Sequence, residues 1–334
     1  MMRVAVLSGG RSSEHEISLV SGAAVAEGLR EAGHEVLEVT LDREGGWSFE
    51  GSALKMQAGA GLLGADAVFP VLHGPYGEDG TVQGLLEILD VAYVGSGVPA
   101  SAICVDKIRF KEAVAAAGLP QVDWVGLVED EPADRREEAL SRVAALGYPV
   151  FVKPARLGSS VGIVRVASAE ELAPALAVAF GHDPRVIVEA ASGGLEVEVG
   201  ILGPTRAPEA SVPGEIVVKG SESPGGWYDY AAKYKQGGME LQVPARISDA
   251  ARDRLREEAC SAFTQIGCSG LSRVDFFVEG DDVLINEINT IPGFTPTSVY
   301  AALWEASGLP YSELCDRLVG IAVADQEERR RHSF

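Results

Sequence analysis

Little in this 334-residue sequence suggests a leader, a membrane span or a redox centre. The N-terminal apolar run in MMRVAVLSGG is broken by glycines well short of the length of a signal peptide or a bilayer span. A cytoplasmic protein without a membrane partner is therefore expected. Positive charge is scarce: 28 Lys and Arg stand against 49 Asp and Glu, a formal net charge of −21. That balance excludes sequence-independent nucleic-acid binding and attraction to anionic membranes, so any polyanionic ligand must meet locally placed basic residues. Cysteine is sparse too. Cys104, Cys260, Cys268 and Cys315 form no C-x-x-C pair and have no histidine at metal spacing, which predicts free buried thiols rather than disulfides or zinc. Internal repeats are absent. The biased segments are an Ala/Gly-rich stretch at 58–65 and the charged tail DQEERRRHSF, expected to fray over 326–334.

What is present is a globular chain, 46% hydrophobic and long enough for two or three cores. Residues 1–103 alternate strand-like runs (RVAVLSG, EVLEVTL, ADAVFPVLHG, AYVGSG) with helical stretches from about Ser13 to Ala32 and through TVQGLLEIL. This pattern predicts an α/β unit with a parallel sheet. From 104 to 189 helices mix with hairpin strands, an α+β texture. A third unit, 190–325, contains a glycine- and tyrosine-rich loop at 219–238 that is too long for a simple connector.

The glycine turn in VAVLSGGRSSEHEISLVSG invites a dinucleotide reading, but its spacing is wrong. Gly9 and Gly10 are adjacent, no third glycine follows, and Glu14 and Glu16 stand where a phosphate would be repelled, so a cationic partner suits the loop better. The densest signal is RVDFF followed by LINEINTIPGFTPTS. Alternation along a strand puts Arg273 and Asp275 on one face, and Glu287 and Asn289 on one face of the next strand. Three such hard oxygen donors suit Mg²⁺ completed by phosphate oxygens. A second signal is VFVKPARLGSSVGI, where Lys153 ends a buried strand and a loop with Gly158, Ser159, Ser160 and Gly162 follows. A point charge beside free amides and hydroxyls describes a phosphate grip. Alone, each signal has a plainer reading: solvent-facing polar positions on a hairpin, or an exposed lysine at a turn.

The ordered set GGRSSEHEISLVSG, HGPYGEDGTVQGLLE, DK, VKPARLGSSVGI, YDYAAKY, RVDFF and NEINTIPGFTPTS resembles the successive motifs of the D-alanine:D-alanine ligases over nearly the whole chain. The resemblance implies an ATP-grasp fold of two α+β parts behind the α/β domain, with ATP between the central and C-terminal units. It further implies that ATP phosphorylates the carboxylate of one D-alanine and that the amine of a second attacks the acyl phosphate. By the same resemblance Asp275, Glu287 and Asn289 match the ligands of two Mg²⁺ ions, with Mn²⁺ able to substitute and Glu287 shared. Lys107, Lys153, Ser160 and Lys233 match groups on the ATP phosphates, and Glu189 and Glu196 the adenine and ribose contacts. Arg273 and the amide of Gly293 match the groups that steady the tetrahedral intermediate. Ser298 matches the holder of the second substrate's carboxylate, and Glu14 the acid on the first substrate's ammonium. Tyr234 and Ser159 match partners of Glu14, while His73 and Glu78 line the same pocket. A homodimer formed through the N-terminal domain is also implied.

Taken alone, several of these residues read more simply: His73 as a structural histidine after an apolar run, Glu14 as a first-turn acid, Tyr228, Tyr230 and Tyr234 as packing aromatics. The chain also departs from the family pattern. Glu189 is followed by Ala190 rather than lysine, and Ala301 stands where proline is usual. By the same resemblance Tyr234, which the related D-alanine:D-lactate ligases lack, implies an amine rather than a hydroxyl as second nucleophile; a ligase using D-lactate or D-serine, and a regulator that binds nucleotide without turnover, are the alternatives.

Overall fold

The computed structural model describes residues 1–158, 161–218 and 239–332. Ser159, Ser160, Lys233, Tyr234 and the loop 219–238 lie outside the described residues.

Three sheets organise the described chain. The first has the order β4-β3-β2-β1-β5-β6, from β1 (Arg3–Gly9), β2 (Glu35–Leu41), β3 (Trp47–Phe49), β4 (Ser52–Ala53), β5 (Ala67–Pro70) and β6 (Ala92–Tyr93). β2, β1, β5 and β6 run parallel as expected, whereas the short hairpin β3–β4 adds an antiparallel edge. Helix α1 (His15–Glu31) follows β1 and turns Val25, Ala26 and Leu29 into the core, while α2 (Thr81–Leu89) buries Val82, Leu86 and Leu89.

The second sheet, β7-β10-β8-β9, is antiparallel and comprises β7 (Trp124–Val128), β8 (Val150–Pro154), β9 (Val164–Val166) and β10 (Arg185–Ala190). Helices α5 (Ala133–Leu146) and α6 (Ala169–Phe180) complete its core through Val143 and Leu176. The third sheet runs β14-β13-β11-β15-β16, with β12 (Glu209–Ala210) on β11. Its strands are β11 (Leu195–Gly203), β13 (Gly214–Val218), β14 (Met239–Gln242), β15 (Gly270–Glu279) and β16 (Asp282–Asn289).

Two packings cut across the linear order. Helices α3 (Val98–Val105) and α4 (Lys107–Ala116) share the third sheet's core: Cys104, Phe110 and Val114 meet Leu255 and Phe263 of α7 (Asp249–Ile266). After α8 (Val299–Ala306), the closing helix α9 (Tyr311–Arg330) returns to the first sheet, burying Leu314, Leu318 and Val319 against Val25 and Leu29. The tail expected to fray from 326 is instead helix to Arg330. Gln326 is buried and donates to Asp90 at 2.7 Å, and Arg330 pairs with Asp90 at 3.0 Å, so polar contacts hold the last turn. All four cysteines are free; Cys260 is half-buried rather than buried.

Candidate active site

Lysines and carboxylates meet where α4, the second sheet and the third sheet come together. Asp106 caps α4, accepting from the amides of Ile108 and Arg109, each at 3.1 Å, and pairs with Arg185. The cap places Lys107 in the first turn, where its amide donates to Ala155 O at 2.9 Å and its ammonium to Leu157 O at 2.8 Å. Lys107 thus touches the base of the glycine loop, and its Nζ lies 3.9 Å from Glu287 Oε2.

On β10, Glu189 stands across from Phe151 of β8, beside Lys153. Lys153 Nζ donates to Glu189 Oε2 at 2.5 Å, and Lys111 Nζ lies 3.4 Å from Oε1. Burial alone would raise the Glu189 carboxyl, but the two lysines outweigh it and hold the pKa at about 2. Burial opposes the charge of Lys153 as well; Glu189, Glu287 and Glu196 overcome it and hold the ammonium above its usual range. For Lys111 burial prevails, and its pKa is lowered.

The third sheet supplies the opposite arrangement. Asp275 pairs in register with Glu287, and Arg273 with Asn289; the register then shifts between Asp275 and Phe276, a bulge of the kind found beside active sites. On its other side Asp275 faces Glu198 of β11. Arg273 donates from Nε to Asp275 Oδ1 and from Nη2 to Oδ2, both at 2.7 Å, and its Nε lies 2.9 Å from Glu198 Oε2. Burial opposes that charge, yet the two carboxylates drive the guanidinium well above its ordinary value. Asn289 Nδ2 donates to Asp275 Oδ2 at 3.1 Å, which keeps its amide oxygen available as a hard donor.

Among the described residues no group of three or more His, Cys, Asp or Glu is arranged to hold a metal alone. The donor set still fits Mg²⁺: two facing carboxylates and an amide oxygen leave coordination to be completed by phosphate oxygens, whereas an all-protein cage would not.

The third cluster sits at the carboxyl ends of β1 and β5, where ligands of doubly wound sheets bind. Gly9 has φ +94° and a Cβ there would strike Leu41 O at 2.2 Å, so the turn into α1 requires glycine. Ser18 Oγ accepts from the Gly9 amide and donates to Val71 O, tying the turn to the end of β5. Glu14 opens α1, with its carboxylate over Gly74: a Cβ on Gly74, at φ +76°, would lie 3.2 Å from Glu14 Oε2. Buried His73 approaches Ile291 O through Nδ1 at 3.2 Å and Ser21 Oγ through Nε2 at 3.4 Å, with Glu78 Oε1 at 3.7 Å from Nδ1. Burial would lower the imidazole, but Glu78 and Glu14 outweigh it and raise its pKa.

His73 therefore reaches the loop that carries Gly293 and Ser298. Phe294 pins that loop, its ring in tilted contact with Phe69, Tyr300 and Tyr311 at centroid distances of 5.4–5.6 Å. Ser298 Oγ accepts from the Thr295 amide at 3.0 Å and would be 3.4 Å from a Cβ on Gly293, so these two expected groups are neighbours.

Lys107, Lys153, Glu189, Glu196 and Glu287 thus form one group, Arg273, Asp275 and Asn289 a second joined to it at Glu287, and Glu14, His73 and Glu78 a third linked to Gly293 and Ser298. Sequence reasoning missed Lys111 and Glu198. Each had a signal: Lys111 is one turn beyond Lys107 on the same face of α4, and Glu198 is two residues from Glu196 on β11.

Two antiparallel sheets, one carrying Lys153 and flanked by the lysines of α4, the other carrying Asp275 and Glu287, have the architecture of the ATP-grasp fold. Family models for the D-Ala D-Ala ligase N-terminus match residues 3–61 and 49–96, and that for the C-terminus matches 113–320. The chain is 45% identical to the D-alanine–D-alanine ligase of Deinococcus radiodurans, over 97% of this chain and 99% of that one. It is equally 45% identical to that of Mycolicibacterium smegmatis, over 96% and 95%. Among solved structures, the D-alanine-D-alanine ligase from Coxiella burnetii superposes with a TM-score of 0.86 at 35% identity, over 99% of this chain and 96% of that one. A D-Ala:D-Ser ligase from Enterococcus faecalis gives 0.85 at 34%, over 96% and 99%. The chain belongs to the D-alanine–D-alanine ligase family.

Proposed function

We propose that this enzyme joins two molecules of D-alanine at the expense of ATP, releasing ADP and phosphate, for cell-wall precursor synthesis. The observation that carries the reading is the pairing of a lysine-rich wall with a carboxylate wall at Glu287, beside a separate acid pocket around Glu14.

In the first step a carboxylate oxygen of the first D-alanine attacks the γ-phosphorus and ADP leaves. Glu14 holds that molecule's ammonium, and His73, beside Glu78, fixes the pocket wall against Ile291. Lys107 and Lys153 draw negative charge onto the phosphate oxygens. Asp275, Glu287 and Asn289 would hold Mg²⁺, which when bound neutralises the phosphate chain.

In the second step the amine of the second D-alanine, having lost its ammonium proton to solvent, attacks the acyl carbon; the tetrahedral intermediate then collapses, a second nitrogen proton passing to the departing phosphate as its C–O bond breaks. Arg273 and the Gly293 amide stabilise the oxyanion, and Ser298 holds the second carboxylate. Lys233, Tyr234, Ser159 and Ser160, outside the described residues, complete the set, and water must be kept from the site, since an exposed acyl phosphate hydrolyses. The enzyme works in the cytoplasm as a homodimer.

The test is phosphate release and product analysis with ATP and D-alanine, L-alanine, D-serine or D-lactate in parallel. Release with D-alanine and a dipeptide product are expected. Release with none of the four overturns the reading, and more depsipeptide than dipeptide from equimolar D-lactate and D-alanine overturns the choice of amine.

A further inference from the structure

Lys111 has no part in the chemistry above, yet its ammonium is buried in the middle of the site. It shares the inward stripe of α4 with Lys107, Phe110 and Val114, and its side chain is 1% exposed. Among the described residues its ammonium lies 3.4 Å from Glu189 Oε1 and 3.5 Å from the Ile285 carbonyl. A buried ammonium so loosely held is a poor stabiliser, and an apolar side chain of that length would suit the helix–sheet packing as well.

The carboxylate, by contrast, depends on it. Glu189 is itself buried and offers one oxygen to Lys111 behind it and the other to Lys153, which is 14% exposed. Two cations anchored on different elements fix the orientation of the carboxylate, and through it the position of Lys153 Nζ. The charge balance matters as much. Lys111 offsets the negative charge of Glu189; without it, the whole of that carboxylate, added to Glu287 and Glu196, would weigh on Lys153 and lessen its pull on a phosphate.

We propose that Lys111 is a positioning residue for nucleotide binding: through Glu189 it holds Lys153 in place and frees that lysine's charge for phosphate oxygens. The proposal rests on reading this cleft as the nucleotide site.

ADP binding to the full-length enzyme, measured by calorimetry, tests it without requiring turnover. Lys111→Met should weaken ADP about tenfold, the scale of one charged hydrogen bond, and raise KM for ATP similarly while KM for D-alanine stays within about twofold. In a Glu189→Gln background the same substitution should cost far less, because no carboxylate remains to be neutralised. Losses that multiply in the double variant overturn the proposal. So does a Lys111→Met protein that fails to fold, or one that loses D-alanine and ATP affinity equally, since either marks a purely structural lysine. Wild-type enzyme that binds ADP with this Lys111 dependence but releases no phosphate with D-alanine would overturn the ligase reading alone.

Discussion

Glu189 between two lysines and Arg273 between two carboxylates are inverse versions of one device. In each, one charge is flanked by two of opposite sign, so the contacts described lean positive around Glu189 and negative around Arg273. Neither arrangement is favourable for stability in itself, because taking charges out of water is costly. Side by side, joined where Lys107 meets Glu287, they suit a ligand that carries both signs, a phosphate chain with its divalent cation. The positive cluster should govern affinity and the negative one rate.

The largest expected effect comes from the negative side. Glu287→Gln should lower D-alanine-dependent phosphate release about 10²–10³-fold, the scale of one lost transition-state electrostatic contact, with ADP affinity little changed; equal losses in both would erase the distinction between the clusters. Lys153→Met should weaken ADP about 10- to 100-fold with a smaller loss of kcat, checked by calorimetry and steady-state kinetics. Gly74→Ala forces a left-handed residue to carry a Cβ against Glu14 and Ser12. It should cost about 1–2 kcal/mol of stability and raise KM for D-alanine several-fold, with ADP binding untouched.

His73→Asn makes the smallest change, visible as a pH dependence. The folded pKa of His73 is raised, so its contribution is fully present below the ordinary histidine value of about 6.5 and lost as pH rises through the folded value. Denaturant melts should show wild type most favoured over the variant in mild acid, the gap narrowing toward alkaline pH.

How much of this was legible in the sequence follows from what local periodicity can report. Alternation on β15 and β16 gave the shared faces of Arg273 with Asp275 and of Glu287 with Asn289, and register then set the pairs opposite each other. The bulge after Asp275 was not legible, because it depends on how two strands meet. The spacing of Lys111 from Lys107 puts the two on one helix face, but nothing within KIRFKEAV says that this face packs on a sheet holding Glu189. The same reason hid the return of α9 to the first sheet and the packing of α3 and α4 on the third, since an apolar stripe states that a face is buried without naming its partner. Gly9 was readable as a turn residue, whereas the place of Gly74 beside Glu14 is a tertiary fact that the motif HGPYGEDG does not state.

The central claim is that the two clusters activate a carboxylate as an acyl phosphate, and isotope transfer tests it most directly. With ATP and D-alanine labelled by ¹⁸O in the carboxylate, the account predicts that the phosphate released with each dipeptide carries one ¹⁸O from the first D-alanine. Dipeptide formed with unlabelled phosphate would contradict it.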